Sequence, residues 1–396
     1  MNSHSSLHPL VRRILGCAAL LGGLAFGQTI DFDAGSTGAL GDVVITNDTQ
    51  ILLPADGRLH YKSFTVAEGI NVSFIRNAQN TPVYLLSQGD ITLDGRIYVS
   101  GSGSMGDRGP GLGGPGGFDG GKRGVGELPP GDGQGPGGGR AGNEVRPQDP
   151  GSAGSGSYLT QRGQGSTNVG SIYGNAALIP LIGGSGGGGT YRVGGAGGGG
   201  AILLASNTRI QFGNNALVDA TGGESGTSGA YNGGSGGAVK LVAPRVSGPM
   251  RIYVYNRNGT GGDGRIRIDA INYSGVSFAH HTPAHSLSYG SMMATGLEGE
   301  LPRLELVSVG GRPIPESNIA TGFILFPNGT SGDQPVVVRA RNFGTQVPVR
   351  VVVSADNGST ESFDLLVDNT AANPATATVT VQIPANSPSR INAWTR

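Results

Sequence analysis

One cysteine, Cys17, stands in a chain of 396 residues, and it falls inside an apolar stretch at the amino terminus. Past that stretch there is no thiol. Disulfides and cysteine metal sites are excluded there, and stability has to come from packing and backbone pairing. Charge is scarce and balanced: Lys plus Arg and Asp plus Glu both number 27, and charged residues make up 14% of the chain. Nothing in that balance calls for nucleic acid or an anionic membrane surface as a partner. Aromatics are 6%, with a single tryptophan, Trp394, close to the carboxy terminus. Beyond the amino-terminal stretch no apolar run approaches the roughly 20 residues needed to cross a bilayer, so no transmembrane segment is expected in a mature chain.

The apolar stretch reads as an export signal. Arg12 and Arg13 precede ILGCAALLGGLAFG, and Ala25-Phe26-Gly27 places small residues ahead of Gln28. A positive start, a short apolar centre and small residues at the cleavage point are what a signal peptidase requires. Residues 1–27 are therefore expected to be removed, leaving a secreted or cell-surface protein that begins at about Gln28. Cys17 precedes most of the apolar segment instead of following it, which argues against lipidation.

Glycine is what the chain has in excess. Of 75 glycines, 39 fall in residues 101–200. Glycine has no side chain to bury and loses the most backbone entropy on folding, so that block cannot form a conventional core. Its GDRGPGLGGPGG is collagen-like in composition, but glycine does not hold every third position beyond Gly109, and a triple helix needs that strictly. The block reads as a long insertion, in which residues 101 to about 157 are either mobile or formed of extended, closely packed glycine-rich segments. Near its end, SIYGNAALIPLIGG carries Ile172, Tyr173, Leu178, Ile179, Leu181 and Ile182 and is expected to dock on the rest of the protein.

Around the insertion a pattern recurs. VYLLSQGDITLDGRIYVSGSG (residues 83–103), AILLASNTRIQFGNNALVDATGG (201–223) and AVKLVAPRVSGPMRIYV (238–254) each hold an apolar run, a polar turn and a second run alternating at period two. Alternation of that kind marks strands with one buried face. A strand pair cannot bury its inner row alone, whereas stacked pairs can. Aligning the copies on Ile91, Ile210 and Val246 puts Asp94 beside Gly213 or Asn214. Leu59, Tyr61, Phe64, Val66, Ile70, Val72 and Phe74 suggest an earlier rung, and RIRIDA, with Ile266 and Ile268 inward, a late one. After HHTPAHSLSYGSMMATGLEGE, the segments LELVSV, PVVVRA, VPVRVVVSA, ESFDLLV, TATVTVQI and RINAW make about six strands with ordinary turns.

The expected fold is all-β: a right-handed parallel β-helix or solenoid with a long Gly-rich insertion, followed by a small immunoglobulin-like β-sandwich. The divisions expected are a solenoid over 28–278 with its insertion at 101–200, a linker over 279–300 and the sandwich over 301–396. The sandwich cysteines and the tryptophan between them are missing, so only the architecture is claimed.

The succession QGDITLDGRIYVSGSG, GGPGGFDGG, IPLIGGSGGGG, GGAGGGGAILLAS, GGSGGAVKLVAP and GGDGRIRIDA resembles a group of uncharacterised exported, glycine-rich bacterial proteins. The resemblance implies a parallel β-helix related in architecture to surface adhesins and to polysaccharide-degrading β-helix enzymes. It carries over no catalytic residue.

The residues that could carry chemistry do not converge in the sequence. Enzymes acting on acidic polysaccharides stack carboxylates on neighbouring rungs, for calcium or for acid and base, but the aligned copies form no acidic ladder. Asp90, Asp94, Asp219, Asp263 and Asp269 read as turn formers and exposed strand residues. His280, His281 and His285 sit close in sequence, yet Pro283 disfavours a helical turn that would align them, and they read as exposed linker residues. Arg265, Arg267 and Asp269 read as a solvated charge row rather than a clamp for a sugar acid. Gly121-Lys122-Arg123 lacks the Gly-Lys-Ser or Gly-Lys-Thr of a phosphate loop, and GGDGRIRID has Ile266 where the calcium nonapeptide needs aspartate. No catalytic, cofactor-binding or metal-ligating residue and no cofactor is assigned. The expected function is a non-enzymatic, adhesin-like or structural protein of the cell surface or matrix whose partner is polysaccharide or another cell surface. A β-helix polysaccharide lyase or glycoside hydrolase is one alternative, and an ice-binding or scaffolding protein is another.

Overall fold

Period-two alternation before the glycine block becomes eight short strands: β1 (Asp42–Ile45), β2 (Thr49–Leu52), β3 (Arg58–Tyr61), β4 (Ser63–Val66), β5 (Asn71–Ile75), β6 (Val83–Ser87), β7 (Ile91–Leu93) and β8 (Arg96–Tyr98). After the block come β9 (Ala201–Ser206), β10 (Arg209–Phe212), β11 (Leu217–Asp219), β12 (Ala238–Met250), β13 (Ile252–Tyr253), β14 (Arg265–Asn272), β15 (Val276–Phe278) and β16 (Leu287–Gly290). The carboxy-terminal part holds β17 (Arg303–Val309), β18 (Arg312–Pro313), β19 (Gly332–Arg341), β20 (Gln346–Ala355), β21 (Thr360–Asp368), β22 (Ala375–Ile383) and β23 (Ser389–Thr395). This computed structural model describes residues 32–104, 109–142, 153–162, 168–226, 232–278, 283–297, 302–314, 324–356 and 358–396. The expected export signal lies outside the described residues.

Pairing among β1 to β16 is parallel and skips along the chain. Ile91 of β7 pairs with Ile210 of β10, and Ile210 pairs with Val246 of β12, the register on which the copies align in sequence. Asp94 follows Leu93, the partner of Phe212, and so lies beside Gly213. Inward rows from every rung, among them Leu59, Phe64, Val72, Ile97, Ile202, Val218, Ile252 and Ile268, merge in one buried apolar core.

The expected right-handed β-helix is corrected by β12. In the earlier copies a break separates the two runs: Gln88-Gly89-Asp90 between β6 and β7, and Asn207-Thr208 between β9 and β10. In β12 the ladder continues for 13 residues. Its first half pairs with β9 and β14 and its second with β10 and β15. Two rows that a coil would keep on separate faces are thus one eleven-stranded sheet, β1-β4-β7-β10-β12-β9-β6-β3 with β14, β15 and β16 attached. The sheet curls round the core as a nearly closed, parallel, barrel-like wall, and a five-stranded sheet, β13-β11-β8-β5-β2, faces the same core. In place of an immunoglobulin-like sandwich there are two antiparallel sheets, β18-β17-β19-β22 and β21-β20-β23. Val336, Val338, Val349, Val351, Val367 and Val381 form a buried core between them.

Where it is described, the glycine block is packed, not loose. The carbonyls nearest Gly183, Gly186 and Gly189 belong to Gly116, Asp119 and Lys122, while those nearest Gly184 and Gly187 belong to Gly236 and Asn232, and that nearest Gly188 to Arg140. Each step of three returns to the same neighbouring segment. An extended polyproline-II-type chain has three residues per turn and no internal hydrogen bonds, so its amides must bond sideways. They do: Gly186 N–H donates to Gln134 O at 3.0 Å, Gly187 to Ala196 O at 2.9 Å, and Gly195 to Gly121 O at 2.7 Å. A segment enclosed on all sides admits little but glycine, with a small residue such as Ser185 or Ala196 where a gap allows, which is why the collagen period dissolves. Leu178, Leu181, Ile182 and Tyr173 dock on the outer face of the barrel-like sheet at Ala201 and Ala238, while Ile172 stays exposed.

Candidate functional site

The five-stranded sheet sends one row of side chains inward and leaves the other facing out. Inward go Val72, Ile97, Val218 and Ile252. Outward, in register, stand Ser73, Tyr98, Asp219 and Tyr253. Adjacent parallel strands are ~4.8 Å apart, so Tyr98 and Tyr253 flank Asp219 at one strand spacing on either side. Tyr255, two residues on, extends the ring surface, its centroid 5.4 Å from that of Tyr253.

Asp219 points outward and is nonetheless fully buried. The rings shelter it on two sides and Arg257 covers it, with Nη2 2.5 Å from Oδ2. Its Oδ1 accepts the Thr221 N–H at 2.9 Å and the Thr221 hydroxyl at 2.7 Å. A buried carboxylate has to be paired in this way or it loses its charge. Burial works against the Arg257 charge, but the charge and hydrogen bond of Asp219 outweigh it, and the guanidinium pKa is raised. Burial, then neighbouring Tyr253, lifts the Tyr255 hydroxyl above its ordinary value. Arg96 and Arg251 border the row, Arg251 anchored through Nε to Ala216 O at 3.2 Å. The result is a firm surface of phenol rings with their hydroxyls, flanked by guanidinium groups.

Two other aspartates expected on the surface are also placed elsewhere. Asp263 and Asp269 are buried, and so is Asp119, which accepts Arg76 at 2.6 Å and Arg390 at 2.8 Å. Arg267 grips Asp269 through two bonds of 3.0 and 2.6 Å, and the Met292 N–H donates to the same carboxylate. Arg265 donates to Tyr173 O and lies over the Tyr158 ring, 5.4 Å from its centroid. The expected solvated row on β14 is thus covered by segments from distant parts of the chain. Asp90 does face solvent, paired with Arg209 at 2.8 Å. Of the histidines, His285 reaches Asp263 at 2.8 Å, and His280 and His281 lie outside the described residues. Among the described residues no three His, Cys, Asp or Glu side chains are grouped to hold a metal ion, and no helix is long and apolar enough to cross a membrane. Sequence reasoning missed Asp219 because its partners, Tyr98 on one side and Tyr253 and Arg257 on the other, come from two other stretches of chain.

No family model, no curated protein and no solved structure matches this chain.

Proposed function

We propose that the protein is exported and acts at the cell surface or in the extracellular matrix, binding polysaccharide on the outer face of the five-stranded sheet without chemically changing it. The observation that carries the reading is the in-register row Tyr98, Asp219, Tyr253 with Tyr255 and Arg257 beside it. Aromatic side chains join an apolar ring to a polar hydroxyl, which suits the C–H faces and hydroxyls of a sugar. Their backbones are fixed by the sheet, so little entropy is lost on binding. The amino-terminal signal pattern and the neutral overall charge fit the same setting.

The test is retention on a panel of insoluble polysaccharides together with a glycan array. The wild-type protein is expected to bind at least one glycan, and Tyr98→Ala and Tyr253→Ala are each expected to weaken that binding about tenfold, as buried aromatic anchors do. Their thermal midpoints should stay close to wild type because both rings stand on the outer face. Failure to retain any glycan removes this function, and release of soluble oligosaccharides from the bound polymer replaces it with a degradative enzyme. The bonded glycine array favours a second reading, a passive scaffold, for which unchanged binding in both tyrosine variants would speak.

A further inference from the structure

A separate cleft opens where residues 159–162 cross the start of β14. It measures about 310 Å³ and is lined by Leu159, Thr160, Arg162, Asp263 and His285. That volume is at the small end of small-molecule sites, which suits a single ring.

The floor is held by main chain. The Leu159 N–H donates to Asp263 O at 2.9 Å, and the Asp263 N–H donates to Thr160 Oγ1 at 2.8 Å. Gly262 lies so close to Thr160 O that a Cβ there would collide with it. Gln161 is tied to Gly170 O, and the Ser155 hydroxyl to Arg162 O. Residues 159–162 are thereby fixed against Asp263.

The electrostatics of the cleft are one-sided. The Asp263 side chain is only 3% exposed, and its Oδ2 meets both Arg162 Nη2 at 3.0 Å and His285 Nε2 at 2.8 Å. Those two side chains are themselves 47% and 51% exposed. One buried carboxylate therefore holds two nitrogenous groups side by side with their outer edges in the cleft. A cation entering would find the carboxylate already taken. An anion would find the guanidinium, which is permanently charged and spends one of its five N–H groups on Asp263, and beside it an imidazole whose Nε2 meets Asp263 and whose Nδ1 is a second donor in the protonated ring. The guanidinium fork matches the planar geometry of a carboxylate. Leu159 adds an apolar wall for a ring, and Thr160 a hydroxyl.

We infer that this cleft binds the carboxylate of a uronic-acid residue, held between Arg162 and His285 over the buried Asp263. The preference for an anion stands on the cleft alone; only the sugar that carries it rests on the glycan reading above. The cleft uses different elements from the tyrosine row, so failure at one site is measurable independently of the other.

The experiment is a calorimetric or NMR titration of the purified protein with galacturonate, galactose and a galactose sulfate. Saturable, millimolar binding of galacturonate is expected, with galactose at least tenfold weaker. Arg162→Met should weaken galacturonate at least tenfold. Asp263→Asn removes the competing internal anion and should tighten it severalfold, while Tyr98→Ala should leave it unchanged. His285→Gln keeps a donor to Asp263 and should lose affinity without loss of fold, which guards against a misfolded Arg162 variant. Equal binding of galactose and galacturonate, no response to Arg162→Met and His285→Gln, or equal affinity for the sulfated sugar would each overturn the assignment.

Discussion

Gly195 shows how little room the packed block leaves. A Cβ on it would stand well inside 3.0 Å of Gly187 O, a backbone atom held by its own hydrogen bonds. Gly195→Ala is expected to cost about 3 kcal/mol in chemical unfolding, the scale of strain from overfilling a packed interior. Gly69 makes the contrast: its φ is +79° and nothing lies within 4 Å of where a methyl group would stand, so Gly69→Ala should cost only about 1 kcal/mol for its left-handed backbone. Composition shows both as glycine and cannot tell which one is enclosed. The same limit hides Asp219, Asp263 and Asp269. Each sits in a stretch whose local pattern says turn or outer strand, and each is buried because an arginine or histidine at least two residues, and up to about a hundred, away in the chain closes over it.

Single strands were the most legible elements. Ile91, Ile210 and Val246 align in the bare sequence because an inward row must repeat at period two and every rung needs a large aliphatic at the same height. The segments that became β17 and β19 to β23 were legible for the same reason. The glycine segments were not, since their order comes from sideways bonds to chains far along the sequence and not from any local propensity. Hydrogen exchange can check this. The amides of Gly187, Gly195 and Gly198 are expected to be protected to the level of those in β9 and β12, because they are buried and bonded at 2.7 to 2.9 Å. Exchange at the rate of free loops would mean that the array is not held together in solution.

At the scale of the whole molecule, Asp119 joins three parts. It stands in the glycine array, Arg76 follows β5, and Arg390 belongs to β23. Phe118 packs edge-on against Trp394 at 5.9 Å, and Lys122 Nζ donates to Ala355 O at 3.0 Å beside it. Burial by itself would raise the Asp119 pKa, but Arg76, Arg390 and the Gly113 N–H outweigh it and hold the carboxyl below its ordinary value. A group depressed on folding stabilises the protein above its unfolded pKa of about 3.9 and loses that contribution as the pH falls through the folded value. Trp394 is the only tryptophan, so its fluorescence reports this junction. The wild-type thermal midpoint followed by that signal is expected to drop as the pH is lowered below about 4. Asp119→Asn should be destabilised by about 1 to 3 kcal/mol at neutral pH, because the amide cannot match the charge of Arg76 and Arg390 while both arginines keep some solvent, and it should lose much of that acid dependence.

The sequence by itself determined that the chain is built of strands, which side chains of each strand face inward, and that three copies stack with Ile91, Ile210 and Val246 level. These follow from local periodicity, which any window of the chain contains. Tertiary structure alone decided that the rows close through β12 into a barrel-like wall, that the glycines form a bonded array, and that Asp119, Asp219 and Asp263 are buried under distant arginines. Those outcomes depend on which backbone or charge arrives from far along the chain, and no local pattern records that arrival.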